Sequence, residues 1–495
     1  MHDLKNAGSL EAIAGKWRNG ATTMLLALFL MGVVFYLSAY GLGAHYAPSA
    51  VPVHHDDYSN YGSGGNVWNW VWIRPFSTLL IQGLAQMGPE WLIWSIRLLS
   101  LVFVLLNWKL LCEVIRPANY WIALLLFAVV CFATPVIAEY ARYTGMVTHM
   151  LSGCFGVAAA WALLREVTRP GRGALQWSLL LLVLSVLAKE DFVVLYAVTA
   201  AYAVLQARGQ RKRMIAWSGI ALLISGLLIA GAKFMAASSF LGMSDTAAPY
   251  FIDATPTGIA HTIWRYLLGG GHPALGQHGR TICTVFVFVL VSTLVLILRT
   301  RAVPKTAYLL AAMLSVMLPY SVLPNHVNAY YELIWLPLLM AACYAALFEL
   351  VQAFTSASER SAKVFATSIF LLLVILVSLF DRSGRDSIAS WYDEVGMSNR
   401  HVLAALASQK DQINHVGKVC VSGADTFSPW YMHGGSYLDH VMGLHATWYV
   451  LADPASPVYA GLVSGAASSA GKTIVVETTL GMPVDCVAIH LEALK

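Results

Sequence analysis

Charge is scarce in this sequence. Of its 495 residues only 12% are Asp, Glu, Lys or Arg, while 58% are hydrophobic; soluble globular proteins carry about 25% charged residues. A water-soluble chain of this length would divide into two or three domains, and the composition lacks the polar surface to cover them. The same figures exclude disorder and a disulfide-rich secreted scaffold. There is no G-x-x-x-x-G-K phosphate loop, no G-x-G-x-x-G after a strand and no C-x-x-C pair, which argues against a nucleotide-driven pump or a dinucleotide enzyme. No internal repeat supports an inverted-repeat transporter. A net charge of +5 is too mild to call for nucleic acid as a partner. What remains is an all-α polytopic membrane protein.

A membrane helix needs about 20 mostly apolar residues. The runs that qualify are 21–42, 91–111, 119–138, 147–164, 215–232, 281–298, 306–323, 331–351 and 364–380. Between 177 and 207 an apolar stretch is broken once, by Lys189-Glu190-Asp191. As one helix it would run about 45 Å at 1.5 Å per residue, too long for one crossing, so it reads as two helices joined by a charged hairpin. The total is about 11 transmembrane helices. With 1–20 as a cytoplasmic N-terminus, the cytoplasmic segments hold 17 Lys and Arg, and the opposite connections six: Arg74, Arg142, Lys189, Lys233, Arg265 and Arg280. That asymmetry satisfies the positive-inside rule. The first apolar run is longer than a signal-peptide core and no A-x-A site follows it, so it reads as a span.

The reading therefore has a transmembrane domain over 21–380, with outer loops 43–90, 139–146, 233–280 and 324–330. An extracytoplasmic α/β domain over 381–495 follows. In that domain 382–410 reads as an amphipathic helix, and 418–422, 473–478 and 485–491 as short strands. Cys112, Cys131, Cys154, Cys283 and Cys343 lie in or beside spans as small packing residues. Cys420 and Cys486 share the outer domain, where a disulfide and two free thiols are both open. The expected location is a bacterial inner membrane, with the site facing the periplasm.

Ionisable side chains gather on the outer side. The first loop carries His54-His55-Asp56-Asp57-Tyr58-Ser59-Asn60-Tyr61. One carboxylate there can act as general base on an acceptor hydroxyl while its neighbour orients substrate. Alternatively Asp56, Asp57 and His55 can ligate a divalent metal. Trp68, Trp70 and Trp72 read mainly as an interfacial belt, and Arg74 is the loop's one cation. The second loop offers Glu139 and Arg142, which can simply pair with each other. Lys189, at the end of a half-helix, needs an anion; Glu190 or a phosphate would serve. The fourth loop carries Asp245, Asp253, His261, Arg265, His272, His278 and Arg280; its histidines are too scattered for a metal site and read as loop residues. His326 and Glu332 flank Tyr330 and Tyr331 at the start of the tenth span.

In joint order these segments resemble the GT-C superfamily of membrane glycosyltransferases, in particular the branch of protein O-mannosyltransferases and lipid A aminoarabinose transferases. The likeness spans about residues 15–380. Asp56-Asp57-Tyr58-Ser59-Asn60-Tyr61 resembles the branch's D-E-x-x-Y, with Asp for Glu and Tyr61 one position late. Ala141-Arg142-Tyr143 matches A-R-Y, without the acid that often follows. Leu187-Ala188-Lys189 matches L-x-K. Tyr330, Tyr331, Leu336 and Pro337 match the late aromatic and L-P, with His326 nearest to the place of a missing arginine. The resemblance implies transfer of a monosaccharide from a polyprenyl-phosphate donor to a glycan, lipid or protein acceptor at the outer face. Asp56 would be the base and Asp57 its assistant, with Lys189, Arg142 and Arg74 on the donor phosphate. Membrane lipids are the other expected partners, and a divalent metal stays open. The rivals are a polymerase or ligase of lipid-linked O-antigen and a flippase or transporter without bond-making chemistry.

Overall fold

Apolar runs separated by short polar breaks produce a mostly helical molecule. The computed structural model describes residues 22–39, 74–87, 89–137, 144–170, 173–207, 209–235, 251–270, 275–380, 406–422, 443–451, 474–477 and 485–490. In chain order the first helices are α1 (Thr22–Ala39), α2 (Pro75–Met87), α3 (Pro89–Val114), α4 (Tyr120–Phe132), α5 (Val147–Thr168), α6 (Ala174–Ala188) and α7 (Val193–Gln206). They are followed by α8 (Arg211–Met235), α9 (Pro256–Leu267), α10 (Gly276–Thr300), α11 (Lys305–Ser321), α12 (Glu332–Phe354) and α13 (Glu359–Phe380). Six of them, α1, α3, α5, α8, α10 and α12, are long and apolar enough to cross a membrane.

The centre belongs to α5 and α12, each with 78% of its most apolar window buried, against 22% for α8. A helix that is apolar all round must be covered on every side; α12 meets this with a run from Glu332 to Ala346 in which every residue is buried. Helix α8 keeps Ile215, Ile220, Leu223 and Leu227 exposed, as a lipid-facing helix does. Helix starts follow local capping. Asn119 accepts hydrogen bonds from the N–H groups of Trp121 and Ile122 at the head of α4, and Thr255 accepts from Gly258 N–H ahead of Pro256 in α9.

Polar contacts fix which helix ends lie together. At one end Glu332 of α12 meets His278 of α10 at 2.6 Å, and His149 of α5 meets Tyr320 of α11. At the other, Glu166 of α5 pairs with Arg213 of α8 at 3.2 Å, and Glu349 of α12 accepts the Lys305 and Thr306 N–H groups that open α11. The stretch 177–207 is two helices, α6 and α7, broken at Lys189 and a 3₁₀ turn over Glu190–Phe192. Two expected loops contain more order than their polarity suggested. Segment 43–90 holds α2 and the first turn of α3, and 233–280 holds α9 and the first turn of α10. His278 is accordingly no loop residue, being buried in α10 against Glu332. Arg265 likewise donates to the Pro324 carbonyl at 2.6 Å.

Beyond 381 the structure describes a short helix, α14 (Lys410–Val416), and four strands, β1 (Lys418–Ser422), β2 (Thr447–Leu451), β3 (Ile474–Glu477) and β4 (Val487–His490). All pairs are parallel, in the order β3-β2-β1-β4. Gly417 closes α14 in the left-handed region at φ 68°, which glycine adopts without strain. The expected helix over 382–410 falls almost wholly outside the described residues. Strand β2 was not legible, because a five-residue apolar run carries no period that separates strand from helix. The question left open for Cys420 and Cys486 is answered by a disulfide. Lys418 also pairs with Asp485 at 3.0 Å; that hydrogen bond raises the lysine and lowers the carboxyl.

A disulfide between residues 66 apart removes much unfolded-chain entropy, so Cys420→Ser should cost about 2–4 kcal/mol of stability. A reductant should destabilise the unsubstituted protein by a similar amount and leave the variant unmoved. Thermal unfolding with and without reductant makes the comparison, and peptide mapping that found both thiols free would contradict it.

Candidate functional site

Three ionisable residues interrupting an apolar stretch cannot continue as helix through hydrocarbon, and the chain turns there. Helix α6 ends at Ala188, Lys189 is extended at φ −168° and ψ 148°, and Glu190–Phe192 forms the 3₁₀ turn. Carbonyls at a helix end need outside donors. Ser77 of α2 donates to the Ala188 carbonyl at 2.8 Å, and Ser152 of α5 to that of Lys189 at 2.6 Å. Phe192 wedges into α5 where the helix is bare. A methyl group at Gly156 would overlap Phe192, and one at Gly153 would stand 2.7 Å from Phe103 and 2.9 Å from Phe192. The turn is thus seated by two serines and two glycines.

Seated this way, the turn directs Asp191 inward. Tyr320 donates to Asp191 Oδ2 at 2.5 Å, and His149 Nδ1 lies 2.8 Å from the same oxygen. Lys189 Nζ is 3.4 Å from Asp191 Oδ2 and 2.6 Å from His149 Nε2. An ammonium can only donate and a carboxylate only accept; Lys189 Nζ is nearer to Nε2 than to Nδ1, at 2.9 Å, so the network assigns His149 as neutral, with its proton on Nδ1 toward Asp191. Burial alone would raise the Asp191 carboxyl. The Lys189 ammonium and the hydrogen bonds from His149 and Tyr320 outweigh burial and hold it below the usual carboxylate range. Burial pushes the Lys189 ammonium down to about 8; Asp191 opposes that shift and the Arg74 guanidinium adds to it.

Around this core stand Arg74 and a cluster of aromatic rings. Arg74, at the head of α2, reaches Glu190 at 3.5 Å, and both are partly exposed. Tyr331 stacks on Tyr320 with centroids 4.1 Å apart and lies edge-on to His149 at 5.4 Å. His326 sits one ring further out, 6.0 Å from Tyr331, with Nε2 3.2 Å from the Tyr330 hydroxyl. Tyr266 of α9 donates to the His326 carbonyl.

The sequence candidates thus divide. Arg74 and Lys189 come together on one turn, with His326 two rings away. Asp56, Asp57, His54, His55 and Tyr61, and Glu139 and Arg142, lie outside the described residues. The anion that Lys189 needs is supplied within the turn, by Asp191 rather than Glu190: its largely covered side chain lies against Asp191 and His149, while Glu190 serves Arg74. Among the described residues no group of three His, Cys, Asp or Glu is placed to hold a metal ion; the metal expectation rests on 54–57. Sequence reasoning missed His149 and Tyr320 as site residues, since His149 is 42 residues from Asp191 and Tyr320 is 129. No family model, curated protein or solved structure matches the chain.

Asp191→Ala would leave the largely covered Lys189 charge without its nearest anion, a loss of up to about 3–5 kcal/mol. Adding Lys189→Met should restore most of it. Thermal unfolding in one detergent decides, and additive losses would show that the two side chains are not coupled.

Proposed function

We propose that the chain is a membrane glycosyltransferase of GT-C type, with about 11 spans and an extracytoplasmic C-terminal domain. It transfers a monosaccharide from a polyprenyl-phosphate donor to a cell-envelope glycan, lipid or protein at the outer face. One observation carries the reading: two cations from distant segments, Arg74 and Lys189, meet on the same turn, close enough for the guanidinium to disfavour the ammonium. Glu190 and Asp191 balance them at rest, and the partly exposed Arg74–Glu190 pair is the one that a further anion can open. A donor phosphate is such an anion, taking over Glu190's place on Arg74 and drawing on Lys189 from behind.

Asp56 removes the acceptor proton as the acceptor oxygen attacks the anomeric carbon, and Asp57 orients the acceptor. The bond to the carrier phosphate breaks, and its developing charge is met by Lys189, Arg74 and Arg142, contacts that strengthen toward the transition state. Asp191 and His149 are positioning residues that hold the lysine. A transporter of the same lipid is the second reading, favoured by the buried Asp191–His149–Tyr320 chain, since such groups also line proton pathways.

Transfer from a synthetic polyprenyl-phosphate sugar to envelope acceptor by the purified chain tests the reading. Asp56→Asn should reduce turnover about 10²–10⁴-fold without unfolding the protein. Lys189 must be protonated to hold phosphate, so kcat/KM should fall as pH rises through about 8. Lys189→Arg, charged at every accessible pH, should abolish that alkaline limb. Full turnover in folded Asp56→Asn removes the base assignment; lipid movement across vesicles without product supports the transporter. Orientation is checked separately by phosphatase fusions, expected active after Gly384 and inactive after Arg360.

A further inference from the structure

At the end of the bundle opposite the Lys189 turn, five helix ends converge. The last turns of α3, α5 and α7 and the first turns of α11 and α13 surround a cavity of about 380 Å³. Its walls carry charge of both signs, but the two signs are differently engaged. Glu113 accepts a hydrogen bond from Thr168. Glu359 accepts from Lys363 Nζ at 2.6 Å. Glu349, just behind the wall, is used by the Lys305 and Thr306 N–H groups and by the Thr306 hydroxyl. Each carboxylate therefore has its own donors.

The cations are not balanced in the same way. Arg116 is exposed at the cavity edge, and Lys305 Nζ stands over the Phe348 ring at 5.9 Å. Among the described residues neither forms an ion pair, although Lys305 adds to the Lys363 hydrogen bond and charge that hold the Glu359 carboxyl low. Tyr202 stacks flat on Tyr308, centroids 4.3 Å apart, and its hydroxyl has no hydrogen bond among the described residues. The cavity thus presents unspent donors, two of them cationic, beside carboxylates that already have donors of their own. The ligand that fits is an anion rich in acceptor oxygens, which is the chemistry of a phosphate.

Its surroundings select the source. Leu205 on α7 and Val364 and Phe365 on α13 adjoin cavity residues and are 56%, 51% and 51% exposed. Apolar side chains left bare beside a polar cavity, where apolar helices end, suit a molecule with a phosphate head and hydrocarbon chains. The volume takes a headgroup and leaves the chains along the helices. Basic pockets between helices at a membrane face bind anionic lipids in this manner. We propose that the Arg116–Lys305 cavity binds the phosphate headgroup of an anionic membrane lipid, at the end of the molecule away from the candidate transfer site. This inference does not depend on the transferase reading.

The test uses the full-length chain, delipidated in detergent and titrated with dioleoylphosphatidylglycerol while native mass spectrometry counts bound lipid. Arg116→Gln combined with Lys305→Gln should weaken the apparent Kd about thirtyfold, from about a factor of five per cation at a membrane surface. Arg299→Gln, an exposed cation at the same end but outside the cavity, should leave the Kd unchanged. Dioleoylphosphatidylcholine should bind no better to the native chain than to the double variant. Equal phosphatidylglycerol binding by native and double-variant protein would overturn the proposal. So would inorganic phosphate displacing the lipid at equal concentration, which would assign the cavity to a soluble phosphate. Arg116→Gln alone, at an exposed position, reports the same loss in smaller measure if the double variant does not fold.

Discussion

The contact between Lys189 and Asp191 governs the architecture on its side of the molecule. Two apolar helices, α6 and α7, could have continued as one, and the charged triplet between them forbids it. Burying an ion pair is itself costly, and it persists only where neighbouring groups satisfy what the pair leaves open. Here His149 on α5 and Tyr320 on α11 do so. Three separate parts of the bundle are therefore tied to one carboxylate, and the ring of Tyr331 is added through its stack on Tyr320. Remove the triplet, and only hydroxyl contacts such as Ser152–Ser185 and Thr199–Tyr308 would be left to specify how these helices meet.

Much of this was legible in the sequence, for a simple reason. Hydrocarbon imposes a length and an apolar composition on any helix that crosses it, so helices were found close to where the apolar runs lie. The break at 189–191 was legible by the same logic, since three ionisable groups have one tolerable place. Cations were also segregated by end, and Arg116, Lys305 and Lys363 do line one cavity.

The rest was hidden by distance along the chain. Nothing local to His149 marks it as the partner of a lysine 40 residues later, and Tyr320 reads as an ordinary aromatic near a proline. Helices α2 and α9 lie within polar segments and were absorbed into loops. Their polar and glycine-rich flanks outweighed the little more than three turns of periodicity that 13 and 12 residues supply. The pairing of Glu190 with Arg74 and of Asp191 with Lys189 was not decidable from adjacency either. A 3₁₀ turn sends neighbouring side chains in different directions, and backbone geometry made the choice.

The small parallel sheet carries a consequence for the order of events in synthesis. Strand β1 lies between β2 and β4, with Cys420 opposite Ala488 in the register with β4. Strands β2 and β3 can add to one side of β1 as they emerge, but its other edge stays open until β4 arrives. Open edges invite wrong partners, and late non-local pairing is slow. Cys486 stands immediately before β4 and reaches Cys420 only when that strand is in place. Oxidation then works as proofreading: a slipped or strayed β4 carries its thiol out of reach, and only the completed sheet is sealed.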